Sequence, residues 1–253
     1  MSTHFKILIP AYNVESYVQN ALISVMNQDY DNFECIITDD YSTDNTVDVV
    51  DDFIYEHKLE DYFRLRRNQK RMFALYNLHS MILSSEADDE DVYITLDGDD
   101  WLEGVDVLSK LDKIYTEEGC WLTYGSYVVY PSGHDSSFHV TEYPQEIIES
   151  GDFRKDPHWR ASHLRTFKHK LASQLHEEDL IDEDGQYYEM TWDQALMFPM
   201  MEMARERIKF ISDILYVYND ENPINDHKVD RQKQIDTGDR IRNRHKKKDR
   251  ISL

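Results

Sequence analysis

Through residue 104 the apolar positions switch repeatedly between two spacings. Phe5-Lys6-Ile7-Leu8-Ile9 is a short apolar run stopped by Pro10, which predicts a buried strand. Val14, Tyr17, Val18, Ala21, Leu22, Val25 and Met26 then recur at helical spacing, with Asn13 standing where an N-cap belongs. Phe33 to Thr38 predicts a second strand, and Thr46, Val47, Val50 and Ile54 a second helix with its cap in Ser42 to Asp44. Tyr62 to Arg66 predicts a third strand, and Ala74, Leu78, Met81 and Ile82 a third helix. Val92 to Leu96 predicts a fourth strand that runs straight into Asp97. This alternation, with crossovers long enough for parallel pairing, predicts an α/β layered fold with a mostly parallel sheet flanked by helices. Ligands of such sheets bind beyond the carboxyl ends of the strands. The polar clusters Ala11-Tyr12-Asn13, Asp39-Asp40 and Asp97 to Asp100 fall at those ends and are expected to converge.

Beyond residue 104 the pattern changes. Val107, Leu108, Leu111 and Ile114 predict a helix ending near Gly119. Trp121 to Tyr130 predicts a strand before the turn Pro131-Ser132-Gly133, and the polar stretch to Arg160 predicts a long loop. Leu164, Phe167, Leu171 and Leu175 predict a further helix. Another is expected over Thr191 to Arg205, kinked or divided at Pro199. Ile208 to Ile211 and Leu215 to Tyr218 predict two short strands. With no internal repeat or clear linker, residues 1–253 are expected to form a single domain: a nucleotide half over 1–104, an acceptor half over 105–226 and a basic tail over 227–253.

Charge narrows the partners. The formal net charge of −22 repels phosphate backbones, so nucleic acid is not an expected partner. The tail departs from this, with about ten Lys/Arg against four Asp/Glu from His227 onward. It is expected to be a solvated, partly disordered tail, or else a patch that touches an anionic membrane surface, a diphosphate or a polyanionic acceptor. Cys35 and Cys120, the only cysteines, make no disulfide framework, which fits a reducing compartment. No apolar run approaches the roughly 18 residues that span a bilayer, and no signal pattern opens the chain, so a cytoplasmic protein is expected.

Asp97-Gly98-Asp99-Asp100 carries the strongest candidate chemistry. Carboxylates at i and i+2 on extended backbone point to one side and can hold a hard divalent cation that keeps sites for phosphate oxygens. Gly98 would allow a close backbone approach to a ligand. Alone, the tetrapeptide is equally an Asp-Gly turn after a strand. An EF-hand-type calcium loop fails, because its sixth and twelfth positions are Leu102 and Leu108. Asp39 at its strand end could accept the ring N–H of a base, and Tyr12 could stack on one or be an ordinary surface aromatic. The glycine fingerprints of NAD enzymes and P-loop NTPases are absent, as is the basic glycine-rich loop of a nucleotide-sugar pyrophosphorylase.

Four elements agree in order and spacing. Ile7-Leu8-Ile9-Pro10-Ala11-Tyr12-Asn13, Gln28-Asp29-Tyr30, Asp39-Asp40-Tyr41-Ser42-Thr43-Asp44 and Asp97-Gly98-Asp99-Asp100-Trp101-Leu102 together resemble family 2 glycosyltransferases over residues 5–104. The resemblance departs from the family at Tyr41, where glycine is usual, and in the loop Asn68 to Met72. The second half, through Trp121 to Gly125, His163 to Phe167, Trp192 to Ala195 and Asn222 to Lys228, resembles a subgroup found in bacteria and viruses. The resemblance implies the GT-A fold, a nucleotide-diphosphate sugar donor (a UDP-sugar first), Mn²⁺ or Mg²⁺, and inversion at the anomeric carbon. It also implies a hydroxyl acceptor on a glycan, lipid or protein. Donor contacts are then expected from Ala11, Tyr12, Asp39, Asp40, Asn68, Arg71, Asp97 and Gly98, and metal ligation from Asp99, Asp97 and His227. His163, Arg165 and Trp192 are candidates for the diphosphate or acceptor, and Trp159 is a candidate sugar platform. Asp193, at a helix start where the dipole favours negative charge, matches the family's general base. A sugar- or nucleotide-binding protein of the same fold without activity is the alternative; the intact Asp97, Asp99 and Asp193 oppose it.

Overall fold

The computed structural model describes residues 2–136, 140–244 and 247–251. Its first part alternates as the apolar pattern predicts: β1 (Phe5–Ala11), α1 (Val18–Met26), β2 (Phe33–Asp39), α2 (Thr46–His57), β3 (Phe63–Arg67), α3 (Phe73–Ser84) and β4 (Val92–Thr95). These strands lie parallel in the order β3-β2-β1-β4, with Phe5 opposite Phe33 and Val92, and Ala11 opposite Asp39. Alternate strand residues enter two apolar clusters. Ile7, Ile9, Cys35, Ile37 and Ile94 pack with α1 and α2, whereas Leu8, Ile36 and Tyr93 pack with α3. Helices cover both faces, which is why the strands read as continuous apolar runs rather than as alternations.

The second part adds β5 (Trp101–Leu102), α4 (Val107–Glu117), β6 (Leu122–Tyr130), β7 (His134–Asp135), α5 (Gln145–Ser150), β8 (Arg165–Lys168), α6 (His169–Ala172), α7 (Glu177–Leu180), α8 (Trp192–Ala204), β9 (Ile208–Asn219), α9 (Asp226–Val229) and α10 (Arg231–Arg244). They extend the sheet to β3-β2-β1-β4-β8-β6-β9-β5, with β7 paired to β6. β8 is antiparallel to both β4 and β6, and it joins the parallel half to the rest.

Several expectations give way here, each for a physical reason. The helix expected over Leu164 to Leu175 is instead β8 followed by the short α6. Leu164 and Phe167 stand three apart, which is one face of a helix but opposite faces of a strand. They do enter opposite clusters, Leu164 with α1 and Phe167 with α3. The long loop to Arg160 contains α5 and a 3₁₀ turn at Phe153–Lys155. α8 runs through Pro199 undivided, its residues from Ala195 to Ala204 all buried. Core packing there outweighs the roughly 3 kcal/mol that an interior proline costs. The two short strands at 208–218 are one strand, β9, with Ser212 and Asp213 looped out between the pairs Gly125–Ile211 and Ser126–Ile214. A Cβ on Gly125 would stand 2.8 Å from the Ile211 carbonyl oxygen, so the bulge requires glycine there. Asn13 does not cap α1, which starts at Val18 after Tyr17. Its side chain instead accepts the Thr43 N–H at 2.8 Å and ties the first two strand-end loops together.

The basic tail is largely structured. α10 buries Ile241 and Thr237. Arg240 pairs with Asp182 and Glu183, Lys247 with Asp152, and Lys248 with Asp179. These cations are committed to the acidic body. His245 and Lys246 lie outside the described residues. No helix among the described residues is long and apolar enough to cross a membrane. Cys35 and Cys120 are free and buried.

Candidate functional site

The three polar strand ends do converge. The Asp40 N–H donates to the Ala11 carbonyl at 2.8 Å, and the Gly98 N–H to the Pro10 carbonyl at 3.3 Å. A Cβ on Gly98 would lie 3.1 Å from Pro10 O and 3.2 Å from the Ala11 Cβ. Gly98 thus sits in a tight place beside Pro10 and Ala11 at the end of β1, a packing reason beside the expected close approach to a ligand. A cleft of about 260 Å³ opens over these ends. Ala11, Tyr12, Asp40, Arg71, Asp97, Gly98 and Asp99 line it. His163, Arg165, Trp192 and Asp193 line the same cleft, although they stand far away in sequence. Asp39, Asn68 and Trp159 are not among its lining residues.

β9 organises the acidic cluster. Tyr216 donates its hydroxyl to Asp100 Oδ2 at 2.6 Å, and the Asn219 N–H donates to Asp100 Oδ1 at 2.7 Å. The Tyr216 oxygen also accepts the Asp97 N–H at 3.3 Å. Asn222 Nδ2 donates to Asp99 Oδ2 at 2.7 Å. Burial, then the charge of Asp99, pushes the Asp97 carboxyl up to about 7. Burial also raises Asp99, and burial with the Asp99 and Asp97 charges raises Asp100 well above the usual range.

One ligand atom each from Asp97, Asp100 and His163 lies within 4.8 Å of the other two. His163 stacks on Tyr216 with ring centroids 4.3 Å apart. Burial, then the Arg165 charge, pushes His163 well below its usual value, so its imidazole is neutral. A neutral imidazole and carboxylates that repel one another form a donor set that a divalent cation satisfies. Binding the cation would displace the protons that burial retains. Asp99 flanks this group and is not part of it. The His227 side chain lies outside the described residues, though its neighbours Asn225 and Asp226 line the cleft.

The second strand end separates two acids. Asp40 accepts the Met72 N–H at 2.7 Å, the Phe73 N–H at 2.8 Å and Asn68 Nδ2 at 2.8 Å. Its carboxylate is thus committed to the start of α3, and Asn68 is part of the same scaffold, bonded onward to Asn77. Asp39 differs: Oδ2 accepts the Ser42 N–H at 3.2 Å, while the buried Oδ1 has no hydrogen-bond partner among the described residues. Such an oxygen fits a base N–H. Arg71 lies over the Tyr12 ring at 3.7 Å, on a face where a base was expected to stack. Tyr41 holds φ 66°, the left-handed conformation that glycine takes easily. The turn geometry is therefore kept at that departure from the family pattern.

Asp193 lies in the first turn of α8. Its Oδ2 accepts the Trp159 indole N–H at 2.7 Å and an Arg165 N–H at 3.2 Å. Arg165 is buried, with Nε on the Ala161 carbonyl at 3.0 Å and its guanidinium 5.0 Å from the Trp192 ring centroid. Sequence reasoning missed Tyr216 and Asn219, and took Asn222 and Asp226 only as part of a resemblance. Asp226 faces Asp193, and burial followed by that charge raises its carboxyl to about 6. The asparagine-rich run from Asn219 to Asn225 was the available signal.

The sequence pattern described as Glycosyl transferase family 2 matches residues 6–177. The chain belongs to glycosyl transferase family 2. Among relatives, the glycosyltransferase GlyG of Streptococcus pneumoniae is 26% identical over 233 residues, covering 86% of this chain and 71% of that protein. An uncharacterized glycosyltransferase of Haemophilus influenzae is 32% identical over 122 residues, 48% of this chain and 46% of its own. Among solved structures, S. aureus TarS superposes with a TM-score of 0.64 at 17% identity, over 86% of this chain and 37% of that one. A TarS fragment in complex with UDP-GlcNAc gives 0.63 at 17% identity, over 87% and 59%. A mannosyltransferase from Pyrobaculum calidifontis, in complex with GDP-Man and Mn²⁺, gives 0.59 at 17% identity, over 86% and 57%. The fold of this family 2 member is the GT-A fold. It spans less than half of the Haemophilus protein and of that first TarS chain.

Proposed function

We propose that the chain is a metal-dependent, inverting glycosyltransferase that moves a sugar from a nucleotide-diphosphate donor, a UDP-sugar first, to a hydroxyl of a glycan, lipid or protein in the cytoplasm. The observation that carries this reading is one cleft shared by the acidic end of β4 and the carboxylate of Asp193. In a single domain, residues 1–104 would hold the donor and 105–226 the acceptor. Asp39 Oδ1 takes the base N–H, and Tyr12 with Arg71 flanks the ring. Asp193 accepts the proton of the acceptor hydroxyl as that oxygen bonds to the anomeric carbon. The bond from the anomeric carbon to the diphosphate oxygen breaks, and the diphosphate leaves with the electron pair. General-base help of this kind is worth roughly 10²–10⁴-fold. Mn²⁺ or Mg²⁺ would be held by Asp97, Asp100 and His163, with Asp99 and His227 as further candidate ligands, and would supply positive charge to the leaving diphosphate.

The reading is tested by melting the protein with Mn²⁺ against UDP-, GDP-, dTDP- and CMP-sugars and the free diphosphates. Mn²⁺ with UDP should raise the melting temperature, and Asp97→Asn should remove the rise. No shift with any nucleotide would sink the donor assignment.

A further inference from the structure

The Asp193 carboxylate is gripped from one side. Both of its side-chain donors, the Trp159 indole and the Arg165 guanidinium, reach Oδ2. Among the described residues Oδ1 receives no hydrogen bond, and Asp193 lines the cleft. Trp159 is not among its lining residues. The ring is itself fixed, packing edge-to-face on Phe198 with centroids 5.1 Å apart and planes at 67°. Phe198 is fully buried in α8, the helix that carries Asp193. The indole therefore bonds to the first turn of α8 and packs on the same helix further along.

We infer that Trp159 is a positioning residue, whose indole N–H fixes the Asp193 carboxylate so that Oδ1 is the oxygen presented to the acceptor. This rests on Asp193 being the base, as proposed above. An aspartate at a helix start has two rotatable side-chain bonds, and proton transfer needs its oxygen within about 2.6–3.2 Å of the attacking hydroxyl. A 1 Å misplacement can cost about 10²-fold. Arg165 alone does not define the orientation, because its guanidinium is shared with His163 at 3.3 and 3.4 Å. The indole makes the shorter of the two bonds and has no other hydrogen-bond partner among the described residues.

Trp159→Phe keeps a ring against Phe198 and deletes the N–H. The activity probe is hydrolysis by water of whichever nucleotide sugar gives the largest thermal shift, read as nucleotide release with Mn²⁺. Trp159→Phe should lower kcat about 10- to 100-fold, the range for a hydrogen bond to a charged group, with donor KM unchanged. In an Asp193→Asn background the same change should cost nothing further, since residues that act as a unit are non-additive. A purely structural tryptophan would slow both backgrounds by the same factor, and that result overturns the inference. Wild-type kcat in Trp159→Phe beside an inactive Asp193→Asn removes the positioning role alone. Turnover retained in Asp193→Asn removes the base assignment and the positioning role with it. A second measurement needs no activity: the Trp159 indole N–H resonance should move and its hydrogen exchange accelerate in Asp193→Ala. An unmoved resonance overturns the contact.

Discussion

The Tyr216 hydroxyl donates to the carboxylate of Asp100 at 2.6 Å and accepts the backbone N–H of Asp97 at 3.3 Å. One β9 side chain thus fixes two acids at the end of β4, more than a hundred residues away in sequence. Asp100 is about 1% exposed, so water does not replace a lost donor there. Tyr216→Phe should destabilise the fold by about 1–3 kcal/mol. It should also weaken Mn²⁺ binding, because Asp100 Oδ2 loses its donor and only the Asn219 N–H on Oδ1 still orients that carboxylate. Calorimetric titration of Mn²⁺ into wild type and variant checks this; equal affinities would show that Tyr216 does not order the site.

Stability should depend on pH in a direction opposite to that of most carboxylate-rich proteins. Asp97 is raised from 3.8 to about 7 and Asp226 from 3.8 to about 6. Each binds its proton more tightly folded than unfolded. Each therefore favours folding at low pH, and that contribution is lost between roughly pH 4 and the raised value. In EDTA the melting temperature should fall from pH 5 to pH 7.5. Mn²⁺ should restore most of the loss at the upper end, and Asp97→Asn should flatten the curve. A melting temperature that rises over this interval in EDTA would refute the account.

The first four strands, the convergence of their ends and the lining that Tyr12, Asp97 and Gly98 give the cleft were legible because they rest on local pattern. Runs such as Ile7-Leu8-Ile9 are apolar on both faces because both faces are covered, and the motifs follow them directly. The second half hides its signals in long-range pairing. Leu164 and Phe167 stand at a helical spacing, yet the segment Arg165–Lys168 is a strand because β4 and β6 flank it. The break at Ser212-Asp213 is a bulge, which a sequence reads as a strand end. Contacts such as Asn222 to Asp99, and Trp159 to Asp193, join loops to distant elements and leave no periodicity to find. The tail read as free cationic charge because its acidic partners lie up to about a hundred residues away.

Gly98→Ala should separate donor-site geometry from charge. The added Cβ meets backbone oxygen at Pro10 and the Ala11 Cβ at 3.1 and 3.2 Å, and neither belongs to a flexible side chain. The backbone beside Pro10 and Ala11 must then give by a few tenths of an ångström, and Asp97 and Asp99 on either side of residue 98 should shift with it. Overpacking of this kind costs about 1–3 kcal/mol. UDP affinity in the presence of Mn²⁺ should fall at least tenfold although every charged group remains. Unchanged affinity would mean that the strand ends tolerate the shift.

The Arg154–Glu202 pair holds α8 to the C-terminal segment. Arg154 Nε donates to Glu202 Oε1 at 2.6 Å, and Nη1 to the Ile241 carbonyl of α10 at 2.8 Å. The Lys248 N–H reaches Glu202 Oε2 at 2.9 Å. Glu202 is 0% exposed; burial raises its carboxyl, and Arg154 pulls it back most strongly. Arg154→Ala leaves that acid buried without its cation, which should cost about 3–5 kcal/mol. In a chain of this size that lowers the melting temperature on the order of 10 °C. Replacing both partners by methionine should recover most of the loss, since a buried pair is often no more stabilising than apolar side chains of similar volume. α10 also meets the cleft, where Thr191 Oγ1 donates to the Gln234 carbonyl at 3.0 Å. Hydrogen exchange should therefore accelerate across 231–244 in Arg154→Ala while β1 and β2 stay protected. Equal exchange in that segment would mean that the ion pair does not anchor α10.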